Sequence, residues 1–440
     1  MSIRPHWQKA LVVAVSFAVL SLVACGGGGP PSGIKQRAFV SDDFDGTLHI
    51  INADDDLESF SRISTGSQPG LMTLSPDKTL TLVFDAGDVS LAVVSNITEA
   101  VLGRIVMPNV STSYVSLSDN SVGFVAISNS NISPCIPRCV EVVDVFTTFA
   151  ITNTVNVVNA ATAPLPLPPL NAATTLVLSP SEGKLLVFGG PAEHVDTMVV
   201  IDTGLAQTSP GTAATQFGST DCTNAGLPAN CFDRPVWAVF SSDGNTAYVM
   251  NCGPECGGTV AGVTVLNTGA SPAVPIQYIP FPATAGATIG LLSGNNLFVA
   301  GTPSGKTGAF AGTLSVLNTT ALASPTSSVA ISDGYHSLMQ LGSNNKLFIG
   351  AGPTCTAGCL TIFPSTTDSN TAVVDSNTGN VTGIAPIGTR NVVYVVEDLV
   401  AGSFQGIGEL RIYDTTTDAL TPTLDQIDIV GKAVDVKYIP

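Results

Sequence analysis

The sequence predicts an all-β chain folded into one β-propeller of eight blades, with seven as the alternative count. Three observations predict it. A four-strand pattern repeats along the chain. The polar surface is built from neutral residues rather than ions. A spare strand at the C-terminus matches one that the first repeat lacks.

The repeat runs from Arg37 to Pro440. A first strand leads into a Ser-Pro-Asp-type turn, then an aromatic-Val strand, a variable loop, a Val-x-Val-aliphatic-Asp/Asn strand and a looser fourth strand. The turn recurs as Ser75-Pro76-Asp77-Lys78, Ser179-Pro180-Ser181-Glu182-Gly183 and Ser241-Ser242-Asp243-Gly244. Degenerate copies are Ser118-Asp119-Asn120, Ser293-Gly294-Asn295-Asn296 and Gly342-Ser343-Asn344-Asn345. Asp, Asn and Gly clusters between alternating apolar runs signal hairpins. The two central strands pair off as AFV with LHIIN, LTLVF with LAVVS, VGFVAIS with VEVVD, and LLVFGG with MVVID. Then come AYVMN with VTVLN, LFVAG with LSVLN, LFIGA with LTIFP, and VYVVED with LRIYD. The units are spaced by about 50 residues, within the range of propeller blades.

The first unit has no inner strand ahead of Ala38, and the last is followed by Ala433 to Ile439 (AVDVKYI). A ring explains both facts, because the C-terminal strand then completes the first blade and leaves no exposed edge. A linear β-solenoid is the competing architecture, and it gives no reason for this permuted end.

Hydrophobic residues make up 44% of the chain and charged residues 11%, against about 25% charged in an ordinary soluble domain. Ser, Thr, Asn and Gly must then supply the surface, and they suit strands and turns over exposed helices. With 16 basic against 33 acidic residues and a net charge of −17, the chain lacks the cations that neutralise phosphates. Nucleic acid is excluded as a partner, and so is electrostatic adhesion to anionic lipid.

The turn and the Val-aliphatic-Asp strand resemble the YVTN family of propellers, related in fold to the lactonase-like propellers. The match is best in units two, four and five and loose over the rest of the chain. The Gly-His…Trp-Asp pattern of WD repeats does not occur. The acid and metal residues expected of lactonase-like enzymes have no matching positions here, so none is carried over.

Ahead of the repeats, Arg4, His6 and Lys9 form a basic start and Ala10 to Val23 an apolar run. That is the length of a signal peptide and short for a membrane span. It ends in Leu22-Val23-Ala24-Cys25, which resembles the bacterial lipobox. The resemblance implies a signal peptide over residues 1–24, a lipid on Cys25, and a Gly/Pro-rich tether over 25–36 before a single domain at 37–440. Gly26, in place of Asp, implies an outer-membrane address, in the periplasmic or the surface leaflet.

Eight further cysteines fall in local pairs: Cys135 with Cys139, Cys222 with Cys231, Cys252 with Cys256, and Cys355 with Cys359. In an oxidising compartment an even set reads as disulfides. The spacing is wider than the Cys-x2-Cys of zinc sites, and downstream of Cys25 the histidines are His49, His194 and His336. No metal site or cofactor is expected. With strands A to D numbered outward in each blade, the B–C loops and D–A crossings share one face. All four pairs, and the Pro-rich stretch Ala163 to Leu170, fall on it. Long stiffened loops on one face are where binding usually resides.

Three motifs invite a sharper reading. Ala300 to Thr307 fits a loose P-loop pattern, but the following Gly308 to Leu317 reads as a strand, where phosphate binding needs a helix N-terminus. Asp42, Asp43 and Asp45, and then Asp54, Asp55 and Asp56, lack the Gly and distal Glu of an EF-hand and read as solvated turns. Arg234, Trp237, Tyr335 and His336 stand at the starts of A strands, where they could converge at the mouth of the central channel as ligand contacts. No catalytic set can be placed. The function expected is therefore a lipid-anchored, extracytoplasmic binding or scaffold module for a protein or glycan. The alternative is a hydrolase or lactonase with its site in the channel mouth.

Overall fold

The computed structural model describes residues 30–440 apart from 108–109, 119–121, 128–138, 145–150, 157–172, 190–195, 209–211, 327, 353–354, 357, 365–371, 376–378 and 399–406. The Pro-rich stretch, His194 and Cys135 lie outside the described residues.

Blade 1 uses β1 (Arg37–Asp42), β2 (Thr47–Asn52) and β3 (Leu57–Ser64). Blade 2 is β4 (Pro69–Leu74), β5 (Leu80–Asp85), β6 (Ser90–Ser95) and β7 (Ala100–Val106). Blade 3 is β8 (Ser111–Ser116), β9 (Val122–Ile127), β10 (Cys139–Asp144) and β11 (Ile151–Asn156). In blade 4, β12 (Thr175–Leu178), β13 (Lys184–Phe188) and β14 (Met198–Asp202) precede helix α1 (Thr203–Thr208) and β15 (Ala214–Phe217); helix α2 (Ser219–Asn224) follows. Blade 5 is β16 (Pro235–Phe240), β17 (Thr246–Asn251), β18 (Gly262–Asn267) and β19 (Val274–Pro280). Blade 6 is β20 (Ile289–Ser293), β21 (Asn296–Gly301), β22 (Gly312–Asn318) and β23 (Val329–Ile331). Blade 7 is β24 (Tyr335–Leu341), β25 (Lys346–Gly352), β26 (Leu360–Pro364) and β27 (Val373–Val374). In blade 8, β28 (Asn380–Ile387), β29 (Val392–Asp398) and β30 (Ile407–Asp414) are edged by two short strands, β31 (Ala419–Leu420) and β32 (Gln426–Val430).

The last strand, β33 (Ala433–Ile439), pairs antiparallel with β1 and becomes the inner strand of blade 1. The inner strands touch in the cycle β33, β4, β8, β12, β16, β20, β24, β28 and back to β33, so the ring is closed with eight blades. Every central-strand pair read from the sequence is hydrogen-bonded in these sheets.

The central strands are apolar runs because both of their faces are covered. All six residues of β5 and of β6 are buried, whereas β3 at the rim is mostly open. The core is accordingly divided into seams between adjacent blades. Ala38 and Val40 pack with Tyr394 and Leu410 between blades 8 and 1, while Phe39, between them in sequence, packs with Val83 and Ala92 between blades 1 and 2. That alternation is the period of two of a strand. On the turn face, Ser75, Ser179 and Ser241 each accept a backbone N–H from five residues on through Oγ, at 3.0 Å. The turns need a left-handed residue at Lys78, Glu182 and Gly244, with φ of 58°, 59° and 72°.

The N-terminal approach is fastened to this turn face. Ser32 donates from its N–H and its hydroxyl to Glu99 (2.7 and 2.6 Å), and Arg37 Nη1 meets the same carboxylate at 2.8 Å. Ile34 packs into the seam between blades 1 and 2.

Candidate functional site

The opposite face carries the loops. Among the described residues three cystines are formed, Cys222–Cys231, Cys252–Cys256 and Cys355–Cys359, with Cα atoms 5.8, 5.6 and 5.6 Å apart. The first lies in the crossing from blade 4 to blade 5, the second and third in the B–C loops of blades 5 and 7. Such bridges persist in an oxidising, extracytoplasmic compartment. Cys139 opens β10, but its partner Cys135 is outside the described residues, so the fourth pair remains an expectation.

Two of these bridged loops are locked to one another. Asp233, at the end of the blade 4–5 crossing, is buried and accepts the backbone N–H groups of Thr259 (2.9 Å) and Val260 (2.7 Å), together with the Thr259 hydroxyl. Cys252 N–H donates to Arg234 O and Gly253 N–H to Asp233 O (2.9 and 3.0 Å). Asn251 Nδ2 reaches Cys231 O at 3.1 Å. A buried carboxylate held by backbone donors makes the loop rigid, since releasing it strands a charge out of water.

Beside this scaffold, a cleft of about 310 Å³ opens between blades 5 and 6. Cys252, Ala261, Phe281 and Gly286 line it on one side and Thr302 and Pro303 on the other, with Glu255 between them. Glu255 accepts the Thr302 N–H at 2.8 Å. Burial pushes its carboxyl up to about 8. At neutral pH it therefore presents a protonated acid that can donate a hydrogen bond to a carbonyl or hydroxyl oxygen. Sequence reasoning missed Glu255. The available signal was an acid enclosed within the tight Cys252–Cys256 cystine loop. A wider depression of about 670 Å³ lies on the turn face, where Asp56 grips Arg390 through Oδ1 and Oδ2 (2.5 and 2.7 Å).

The four residues expected at the channel mouth are placed as follows. Trp237 packs in the seam of blades 5 and 6 and donates from Nε1 to Gly290 O at 3.2 Å. Tyr335 joins Trp237 against the small cluster of Val236, Cys252 and Cys256. Burial raises its phenol pKa, with the nearby Glu255 adding to the effect. Arg234 has φ of 61° and pairs with Asp196 at 3.5 Å. His336 is fully buried, with Nε2 3.5 Å from Ser332 Oγ, and burial lowers its pKa to about 4. The structure thus brings Trp237 and Tyr335 together beside the cystine loop and turns His336 into the interior.

The segment 300–307 forms no helix: β21 ends at Gly301 and the next regular element is β22. The acidic run 42–45 departs from a solvated turn. Asp42 is buried because it accepts the N–H groups of Phe44 (3.0 Å) and Lys432 (2.8 Å) across the ring closure. Asp54 and Asp55 are exposed, as expected.

No protein-family model matches the sequence, and no curated protein matches it. Solved structures do. The dihydro-heme d1 dehydrogenase NirN aligns with a TM-score of 0.62 at 12% identity, covering 93% of this chain and 78% of that one. Apo AztD from Citrobacter koseri aligns at 0.56 and 11%, covering 92% and 98%. The periplasmic gluconolactonase PpgL of Pseudomonas aeruginosa aligns at 0.50 and 14%, covering 92% and 99%. At these identities the likeness establishes the propeller fold.

Proposed function

We propose that this chain is a lipid-anchored, extracytoplasmic binding module that turns its cystine-loop face away from the membrane toward a protein or glycan. One observation carries the reading. Ser32 and Arg37 fasten the N-terminal approach to Glu99 on the turn face, opposite the bridged loops and the cleft. The segment from Cys25 to Ser32 spans at most about 25 Å when extended. A lipid on Cys25 would therefore keep the turn face near the bilayer and leave the loop face free. The Cys25–Gly26 sequence supports an outer-membrane address. A preformed, bridged surface loses little ordering entropy on binding. Ligand contact would fall on Glu255 in the cleft and on Arg234, Trp237 and Tyr335 beside it, with His336 packing behind them.

The test is direct. The immobilised mature chain is probed with a glycan array and with a detergent extract of its own cell envelope. Whatever it retains should bind about tenfold more weakly, or worse, after Glu255→Gln, Arg234→Ala or Tyr335→Ala, and unchanged after Lys78→Ala on the turn face. Retention through all three loop-face changes would move the site elsewhere. Independently, Cys25→Ser should abolish labelling by fatty acid and release the chain from membranes. A second reading, a hydrolase or lactonase, draws on Glu255 as an acid titrating near neutrality. Turnover of a lactone panel that is lost in Glu255→Gln would favour it.

A further inference from the structure

We propose that the loop-face end of the seam between blades 1 and 2 binds one Ca²⁺ ion through Asp85, Asp88, Thr65 and Ser90. Asp85 closes β5, Ser90 opens β6, and the hairpin loop between them carries Asp88. Asp85 and Ser90 are cross-strand partners, so their side chains share one face of the sheet. Val83 and Ala92, two residues along each strand, lie on that same face and pack in the seam between blades 1 and 2. Thr65 and Gly66 pass over the end of the seam on the crossing from β3 to β4. The place is separate from the Glu255 cleft.

The sign of a ligand is a set of polar atoms left without partners. Asp85, Thr65 and Ser90 are 0%, 0% and 3% exposed. Both carboxyl oxygens of Asp85, Thr65 Oγ1 and Ser90 Oγ have no hydrogen-bond partner among the described residues. Buried polar atoms are nearly always bonded, and a buried carboxylate is paired or coordinates a metal. The second carboxylate points to the same spot. A Cβ added to Gly66 would stand 2.5 Å from Asp85 Oδ2 and 2.7 Å from Asp88 Oδ2, so only glycine leaves both oxygens their room. The Thr65 hydroxyl lies near enough to Asp85 to lower its pKa without making a hydrogen bond.

The site is built before any ion arrives. Ala86 N–H donates to Gln68 O and Gly87 N–H to Ser67 O, each at 2.9 Å. Ser67 N–H donates to Asp88 Oδ2 at 2.8 Å. The crossing and the hairpin are therefore locked together around the four oxygen-bearing side chains. Asp88 is exposed and gives an ion its way in from solvent. The cation nearby is Arg104, whose Nε donates to Thr65 O; one guanidinium stands against two carboxylates. Burial pushes the Asp85 carboxyl up to about 7 in spite of Thr65 and Arg104, and Asp88 adds to the rise. Every donor is an oxygen, which disfavours Zn²⁺. Ca²⁺ accepts carboxylates through one or both oxygens in loose geometry, with water completing the shell, whereas Mg²⁺ demands a strict octahedron.

Equilibrium dialysis of the chelator-treated mature chain against ⁴⁵Ca²⁺, in physiological salt and above the Asp85 pKa of about 7, tests this. One equivalent should bind with Kd on the order of 10⁻⁴–10⁻³ M. Asp85→Asn should lose that equivalent. Thr65→Val and Asp88→Asn should each weaken it by about tenfold or more. Thr65→Val removes a hydroxyl that bonds nothing, so without Ca²⁺ it should melt no lower than the wild type. Asp54→Asn, an exposed acid on the turn face, should bind as the wild type does. Lowering the pH through about 7 should release the ion, because a proton on Asp85 competes with it. A full equivalent retained by Asp85→Asn, or undiminished affinity in both other loop-face variants, overturns the proposal. So does an Asp85 carboxyl ¹³C shift that saturating Ca²⁺ leaves unmoved, which would assign the bare oxygens to buried water.

Discussion

Glu255 shows how much a single side chain owes to residues distant in sequence. Within Asn251-Cys-Gly-Pro-Glu-Cys256 it looks like any solvated loop acid. What buries it is the Thr302 loop, 47 positions away, and no local pattern announces that meeting. Its carboxyl titrates at about 8 when folded, against an ordinary 4.5. The folded chain therefore keeps a proton that the unfolded chain has released. The stability from this group is full below pH 4.5 and is lost progressively as pH rises to about 8. Glu255→Gln removes the titration and preserves an acceptor for Thr302. The melting temperature of the wild type should fall more steeply between pH 5 and 8 than that of the variant. Equal slopes would mean that Glu255 ionises freely.

At the scale of elements, strands were legible and loops were not, for one physical reason. A central strand is buried on both faces, so runs such as Leu80–Asp85 must be apolar, and burial of that kind is written in composition. Turns on the opposite face were legible too, because Ser75 and its equivalents bond a backbone only five residues on. The B–C loops instead take their shape from neighbouring crossings, as Asp233 does for Thr259 and Val260. The local pairing of their cysteines was legible because loop closure favours near partners. Closing so short a ring as Cys252–Cys256 contributes about 2 kcal/mol on the chain-entropy account. Cys252→Ala/Cys256→Ala should lower global stability by about that amount and, more tellingly, speed amide exchange at Thr302, whose acceptor rides on the loop. Unchanged exchange would show that the loop holds its shape without the bridge. Non-reducing peptide mapping should also recover Cys135 joined to Cys139.

The whole molecule is held by its two ends. Read as a linear chain, blade 1 is incomplete and AVDVKYI is superfluous; read as a ring, each explains the other. The legible part was the pairing itself. What the sequence did not reveal is that the clasp also reaches into the next blade, since Asp435 Oδ2 accepts the Met72 N–H at 2.8 Å in a buried setting while Asp435 N–H donates to Ser41 Oγ at 3.1 Å. Ala433 and Val436 fill the seam with blade 8, and Ile439 the seam with blade 2. Burial of Val436 and Ile439 contributes about 3–6 kcal/mol, against about 5–15 kcal/mol for the net stability of a domain. Deleting residues 433–440 should therefore unfold the ring as a unit, seen as loss of the cooperative melt, because both seams of blade 1 open at once. Asp435→Ala leaves the Met72 N–H buried without an acceptor and should cost about 1–3 kcal/mol. A permutant supplies the control: residues 433–440 moved ahead of Gln36 and joined by a short turn should melt cooperatively, since Ile439 already lies opposite Arg37. A truncated chain that melts at the full-length temperature would show that β33 decorates the ring without closing it.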